Sequence, residues 1–285
     1  MRHILHPGPA NQERTSDCAG SPVPLRFILE PGLTVDEAVA RGFAAAGCRG
    51  GFVALDGLRC EPFSYVIPAA SSDARHAAWY SHTFEPDGIV EIERACAIVG
   101  IRDERPFLHC HGIWNTADGP RMGHLLAPET VVAEPLELTG IGMRNVTFEA
   151  RPDPETNFTL FEPVPLSGQD GGLMEAGALL AKVRPNEDIS LAIEAICARH
   201  GIGSARIHGI GSLNGVRFED GTRVDSHATE VLIRRGCVQS MAGHPRAQLD
   251  IDVVDIDGAI FSGELIRGDN PVCVTFELVI ETVKP

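Results

Sequence analysis

The sequence predicts an α+β protein built from two similar halves, each a mainly antiparallel sheet with one main helix. Three observations carry that prediction. An acidic, proline-led helix start occurs twice, at Glu30-Pro31-Gly32-Leu33-Thr34-Val35-Asp36-Glu37 and at Arg184-Pro185-Asn186-Glu187-Asp188. Each helix is followed by a glycine-containing apolar strand, Gly51 to Gly57 in one half and Ala205 to Gly211 in the other. Further on, Phe107 to His111 lines up with Gln248 to Asp252, and Arg121 to Leu125 with Phe261 to Leu265. Glu137 and Glu277 then stand 13 positions after His124 and Glu264.

The elements follow in chain order. Residues 1–24 hold Pro7, Pro9, Pro22 and Pro24 and read as an extended arm without packed structure. Thr34 caps a helix with acidic residues in its first turn, ending near Gly47. The first domain occupies 25–165, and the Pro- and Gly-rich run that begins around Arg151-Pro152-Asp153-Pro154-Glu155 signals a linker, placed at 166–175. The second domain, 176–285, starts its helix at Ile189 and stops it at Arg199, before His200-Gly201. Alternation with period two marks strands over Gln248 to Val254 and Val272 to Val283.

Composition narrows the function. With 285 residues, 44% of them hydrophobic, the chain can bury a substantial core. No run approaches the roughly 18 to 20 apolar residues of a membrane span, and Met1 to Pro9 lacks the apolar core of a signal peptide. The expectation is a cytoplasmic protein. Eight scattered cysteines include no Cys-x-x-Cys pair, so neither a zinc ribbon nor a redox dithiol is signalled. A net charge of −15 argues against nucleic acid as a partner, since that work needs clustered Lys and Arg. The glycines of Gly209 to Gly215 do not open a helix after a strand, which excludes a dinucleotide loop, and no Gly-x-Ser-x-Gly elbow is present.

The chemistry is concentrated in His109-Cys110-His111 and His124. Residues two apart on a strand share a face, so His109 and His111 stand side by side while Cys110 faces away and is no fourth ligand. The turn formers between Trp114 and Pro120 predict a hairpin that returns His124 opposite the pair. Three imidazoles with one open position is the arrangement of catalytic zinc, although imidazoles alone do not choose among Zn, Fe, Ni and Mn.

With these residues in place, both halves resemble the plants-and-prokaryotes-conserved domain, PCC or PPC. The resemblance lies in the proline- and acid-led helix, the His-x-His strand, the Asp-Gly turn, the Gly-His-Leu continuation and the final strand with its glutamate. Glu230 to Gly236 also resembles the family's Glu-led strand, where the first half departs with Arg94. The resemblance implies two PCC-like domains, metal ligation by His109, His111 and His124, and a homo-oligomer with trimer-like domain packing. It also implies a fold similar to that of acetolactate decarboxylase, a zinc enzyme with a three-histidine ion. In the second half Asp250, Asp252 and Glu264 replace the histidines, leaving either a second site for a harder ion or a support for the first. The DNA-binding label that plant members carry does not follow, because the chain has no Arg-Gly-Arg-Pro core.

Two functions stay open on the residues alone. One is a metal-dependent, zinc-type enzyme acting on a small oxygen-rich substrate such as a keto or hydroxy acid. In it Glu137 or Glu134 would serve as acid or base, and Arg121 or Arg151 would hold a substrate carboxylate. The other is a non-catalytic ligand-binding or oligomerisation module. His6 and His82 are further polar candidates, and the Arg151 to Thr156 segment could border a site.

Overall fold

A computed structural model describes residues 2–166 and 177–283. All of the expected linker but Leu166 lies outside the described residues. The first half runs β1 (Thr15–Leu29), α1 (Val35–Ala45), β2 (Gly50–Ala54), β3 (Val90–Arg102), β4 (Arg105–Thr116), β5 (Gly119–Leu125) and β6 (Leu136–Arg144). A hairpin of β7 (Val146–Pro152) and β8 (Thr159–Pro165) follows. The second half runs β9 (Ala178–Val183), α2 (Ile189–Arg199), β10 (Ser204–Leu213), β11 (Glu230–Met241), β12 (His244–Val254), β13 (Ile260–Glu264) and β14 (Val272–Thr282). The result is an α+β fold, mostly antiparallel sheet with two helices among the described residues.

One sheet contains both halves. Outward from the antiparallel β1–β9 pair the order is β6-β2-β3-β4-β5 on one side and β14-β10-β11-β12-β13 on the other. Alternation along β3 explains the layering: Ala95, Ala97 and Val99 pack with α1, while Cys96 and Ile98 face the other half. The helix α1 buries Val35, Ala38, Val39 and Phe43, a stripe at helical spacing. Under α2 lies a separate core that includes Ile189, Ile193 and Ile196. The third core lies between the halves, where Ile98, Phe148 and Phe161 meet Leu180, Ile210, Leu232 and Val279. The helices thus cover the two outer faces, and the inner faces cover each other.

Two sequence expectations change here. The segment read as a loose arm over 1–24 is ordered: β1 begins at Thr15, and before it Arg2 donates to the carbonyls of Asn214 and Asp269, each at 2.7 Å. Among the described residues β1 pairs over Ser21–Leu29 with β6 alone, its pairing with β9 reaching only Gly20, so Pro22 and Pro24 face an edge that needs no N–H donor. The Pro-rich run after Arg144 likewise contains the β7–β8 hairpin. At the helix starts, Asp188 accepts from the Leu191 N–H at 2.9 Å, whereas Thr34 makes no side-chain cap.

His208 on β10 stacks against Phe52 on β2, ring centroids 3.9 Å apart, and so joins the halves. Burial, with Arg206 adding to it, lowers its pKa from 6.5 to about 4. The unfolded imidazole takes its proton near 6.5 and the folded one only near 4, so stability from this residue is complete above that window and falls as the pH drops through it. The expected loss between these limits is about 3 kcal/mol, and replacing His208 by Leu should flatten it in urea titrations run from pH 7 to 4.

Candidate metal centre

Pairing in the β4–β5 hairpin places His124 directly opposite His111, and His109 precedes His111 by two on the same face. That is the inner face, between the halves. Cys110 points the other way into the α1 core, where burial and the nearby thiols of Cys96 and Cys60 hold its own thiol well above the usual pKa. The second half brings two carboxylates to this face. Glu230 opens β11, and Glu277 lies in the middle of β14, 1% exposed.

The hydrogen bonds fix which ring nitrogens are free. The Val231 carbonyl can only accept, so His111 Nδ1 donates to it at 3.0 Å. His109 Nδ1 donates to Glu277 at 2.5 Å. In their neutral forms both rings then carry bare lone pairs at Nε2. Those two Nε2 atoms face each other at 3.0 Å, and a Glu230 oxygen stands 2.5 Å from that of His111. Converging acceptors repel unless something positive sits among them. A proton relieves one such contact, whereas a metal ion relieves them all.

Donor atoms of His109, His111, His124 and Glu230 all lie within 4.8 Å of one another. A zinc-like ion with bonds of about 2.1 Å spaces tetrahedral donors by about 3.4 Å, which this cluster reaches with small shifts. The group can therefore hold a metal ion. Burial pulls the pKa of His109 down, but the charge and hydrogen bond of Glu277, helped by Glu230, outweigh it and leave it raised. Burial, then the neighbouring His109 and His111, hold that of His124 well below its ordinary value, and His124 Nδ1 is buried without a partner. His124 is thus held as the neutral ligand form.

Beside the cluster opens a cavity of about 410 Å³, walled by Trp79, Tyr80, Phe107, Phe158 and Phe161, with Arg102 on its lining. The Tyr80 ring meets His124 edge-on at 5.3 Å. Burial and the charges of Glu230 and Glu277 push the Tyr80 pKa upward, so the phenol keeps its proton. Thr275 also lines the cavity, with its buried Oγ1 unpartnered. Phe158 and neighbouring Asn157 come from the β7–β8 turn and line the cavity, whereas none of the Arg151 to Thr156 segment does.

The four candidate catalytic residues are not brought together with the histidines. Glu134 pairs with Arg59 at 2.6 Å, Glu137 with Arg26 at 3.4 Å and Arg151 with Glu149 at 2.5 Å. Arg121 donates to the Pro120 carbonyl at 3.0 Å, and none of the four lines the cavity. Glu137 sits opposite Ile28, itself 61% exposed, on sheet that the other half leaves open. His6 Nε2 donates to the carbonyl oxygen of Cys273, a lining residue, at 2.8 Å. His82 is exposed against Phe84.

In the second half Asp252, 1% exposed, takes the Arg94 guanidinium at 2.6 Å and the Ser262 hydroxyl at 2.6 Å, and Arg234 pairs with Asp250 at 2.5 Å. Arginines therefore neutralise these carboxylates. Among the described residues the metal-type cluster is that of His109, His111, His124 and Glu230.

The family model for the Plants and Prokaryotes Conserved (PCC) domain matches residues 175–284. Over that span, well under half of the chain, the sequence is similar to the PCC domain. Glu230 and Glu277 lie inside the match, and the three histidines lie outside it. No curated protein matches the chain. Among solved structures, a metal-containing protein from Archaeoglobus fulgidus is 18% identical, with 53% of this chain and 99% of that one covered at a TM-score of 0.39. A plant- and prokaryote-conserved (PPC) protein from Pyrococcus horikoshii is 16% identical over 53% of this chain and 97% of its own, at 0.39. A candidate DNA-binding protein from Bacteroides thetaiotaomicron is 24% identical over 38% of this chain and 80% of its own, at 0.33.

The ion pair between Arg94 and Asp252 gives a direct test of how the halves are held. Arg94→Ala leaves a buried carboxylate short of its main partner, and we expect a loss of about 2 kcal/mol, moderated by Ser262 and Arg234. Adding Asp252→Ala should recover part of that loss, read as a coupling of at least about 1 kcal/mol in urea unfolding of the single and double variants.

Proposed function

We propose that this chain is a metal-dependent enzyme for a small oxygen-rich compound of the keto- or hydroxy-acid kind, built as a tandem of two PCC-like domains. The shared strand order on either side of the β1–β9 seam supports the tandem. The observation that carries the activity is the convergence of His109 Nε2, His111 Nε2 and the Glu230 carboxylate beside an aromatic-walled cavity.

A zinc-type ion held by His109, His111 and His124, with Glu230 in reach, would polarise a substrate oxygen or activate water. The chain's own groups do the rest. Glu277 and the Val231 carbonyl fix the two ring orientations, the outer layer that metal sites require. Tyr80, protonated across the neutral range, offers a proton or hydrogen bond to a substrate oxygen beside His124. The unpartnered Thr275 hydroxyl supplies a second polar contact in the same cavity. Among the described residues no helix is long and apolar enough to cross a membrane, and the net charge of −15 favours a small-molecule partner over nucleic acid.

One observation favours a second reading, a binding module with a closed metal. Glu230 can complete four protein donors, the number of a structural site. Cobalt-substituted protein separates the two: visible bands that shift on adding acetate mark an exchangeable position, and bands that do not move mark a closed one.

Elemental analysis of untagged protein should find about one transition metal per chain, lost in His109→Ala, His111→Ala while circular dichroism is retained. Glu277→Gln should weaken metal affinity about 10- to 100-fold without unfolding. Absence of metal in the parent protein after reconstitution would sink the proposal. Once a substrate is found by screening keto and hydroxy acids, Tyr80→Phe should keep the metal and lower kcat by about 100-fold.

A further inference from the structure

The inner face of the β3–β4 hairpin carries three cross-strand pairs in line: His109 with Ile98, Phe107 with Gly100, and Arg105 with Arg102 at the tip. At about 3.3 Å per residue, the Phe107 position is about 7 Å and the tip about 13 Å along the strand from His109. Arg102 does not extend away from this line. Its guanidinium turns back over the Phe107 ring, 5.6 Å from the centroid, and lines the same cavity as the histidines. Among the described residues it is the one lysine or arginine on that wall, and no carboxylate is paired with it there.

The cavity is therefore polar at both ends and apolar between. The floor between the ends depends on Gly100, where a Cβ would strike the Phe148 carbonyl at 2.5 Å and the Phe161 ring at 2.6 Å, so glycine lets both residues pack against the hairpin. Phe107 and Phe161 meet edge to face at 5.6 Å. At about 410 Å³ the space suits a compound of roughly one ring. Taken together, these features do not suit a small monoacid, which would leave either the guanidinium or the aromatic walls without a partner.

We infer that Arg102 is a specificity residue, and that the cavity takes a dianion: an oxygen-rich head at the histidine cluster, a flat apolar body against Phe107 and Phe161, and a second carboxylate held bidentately by Arg102. The head of this ligand rests on the metal-enzyme reading given above, while the Arg102 end does not.

Terephthalate, with carboxylates on opposite sides of one ring, and benzoate, with one, are the probes. Their binding to the zinc-loaded full chain is measured by calorimetry, in the parent protein and in Arg102→Gln and Arg105→Gln. Terephthalate should bind at least tenfold more tightly than benzoate in the parent and in Arg105→Gln, and the ratio should collapse to about twofold in Arg102→Gln. Because Arg102 is exposed at a turn, that variant should keep the parent's circular dichroism and melting temperature. An unchanged ratio in Arg102→Gln, or no binding of terephthalate by the parent, overturns the inference. The same series on chelator-treated protein separates the two ideas. A terephthalate preference that survives metal removal and still depends on Arg102 upholds this inference while counting against the metal reading. Zinc binding at the histidines with no role for Arg102 does the reverse.

Discussion

The hydrogen bond from His109 Nδ1 to Glu277 is the contact on which the site depends, because it crosses from one half of the chain to the other. It sets the tautomer of His109, turns its Nε2 toward His111 and keeps the β4 strand facing β14. His111 is held in the same way by the Val231 carbonyl of β11. Neither orientation is a property of the first half alone. The histidines supply the donors, and the second half decides where their lone pairs point.

The two halves are complementary because they differ. At matching places near the start of a strand, the first half has Arg94 and the second Glu230. Each reaches across the inner face, Arg94 to the buried Asp252 and Glu230 to His111. Exchanging the two would set an arginine against three imidazoles and a glutamate against Asp252, repulsive on both sides. The differences in charge between the halves thus match across the inner face, where the buried Asp252 of β12 serves to dock the halves.

What the sequence revealed was whatever depends on neighbours along the chain. The α2 helix over Ile189–Arg199, the turn between β4 and β5, the shared face of His109 and His111, and the opposite face of Cys110 all follow from local spacing. Glu230 and Glu277 were visible as motif features, yet their chemistry was assigned to Glu137, the equivalent of Glu277 in the histidines' own half. That assignment took the acid or base from the strand that follows the histidines in the chain, although a supporting role for the second half was already in view. Strand alternation tells which residues share a face but not which sheet will cover it, and here Glu137 lies on an uncovered stretch. Proline misled in a similar way: in β1 it marks an edge that needs no donor, and before β8 it marks a hairpin next to the cavity.

Burying three imidazoles and two carboxylates between the halves opposes folding unless their charges and lone pairs are satisfied. The surrounding inner core, with Phe148, Phe161, Ile98 and Val279 all 2% exposed or less, supplies the apolar burial that holds the halves together around them. That leaves the cluster as the unfavourable spot in an otherwise well-packed interface, with acceptors closer than they would choose. A bound cation would turn this repulsion into ligation, and its binding energy would then appear as stability of the interface between the halves. On this view the metal site and the docking of the two halves are coupled, because Glu277 and the Val231 carbonyl of the second half set the histidines.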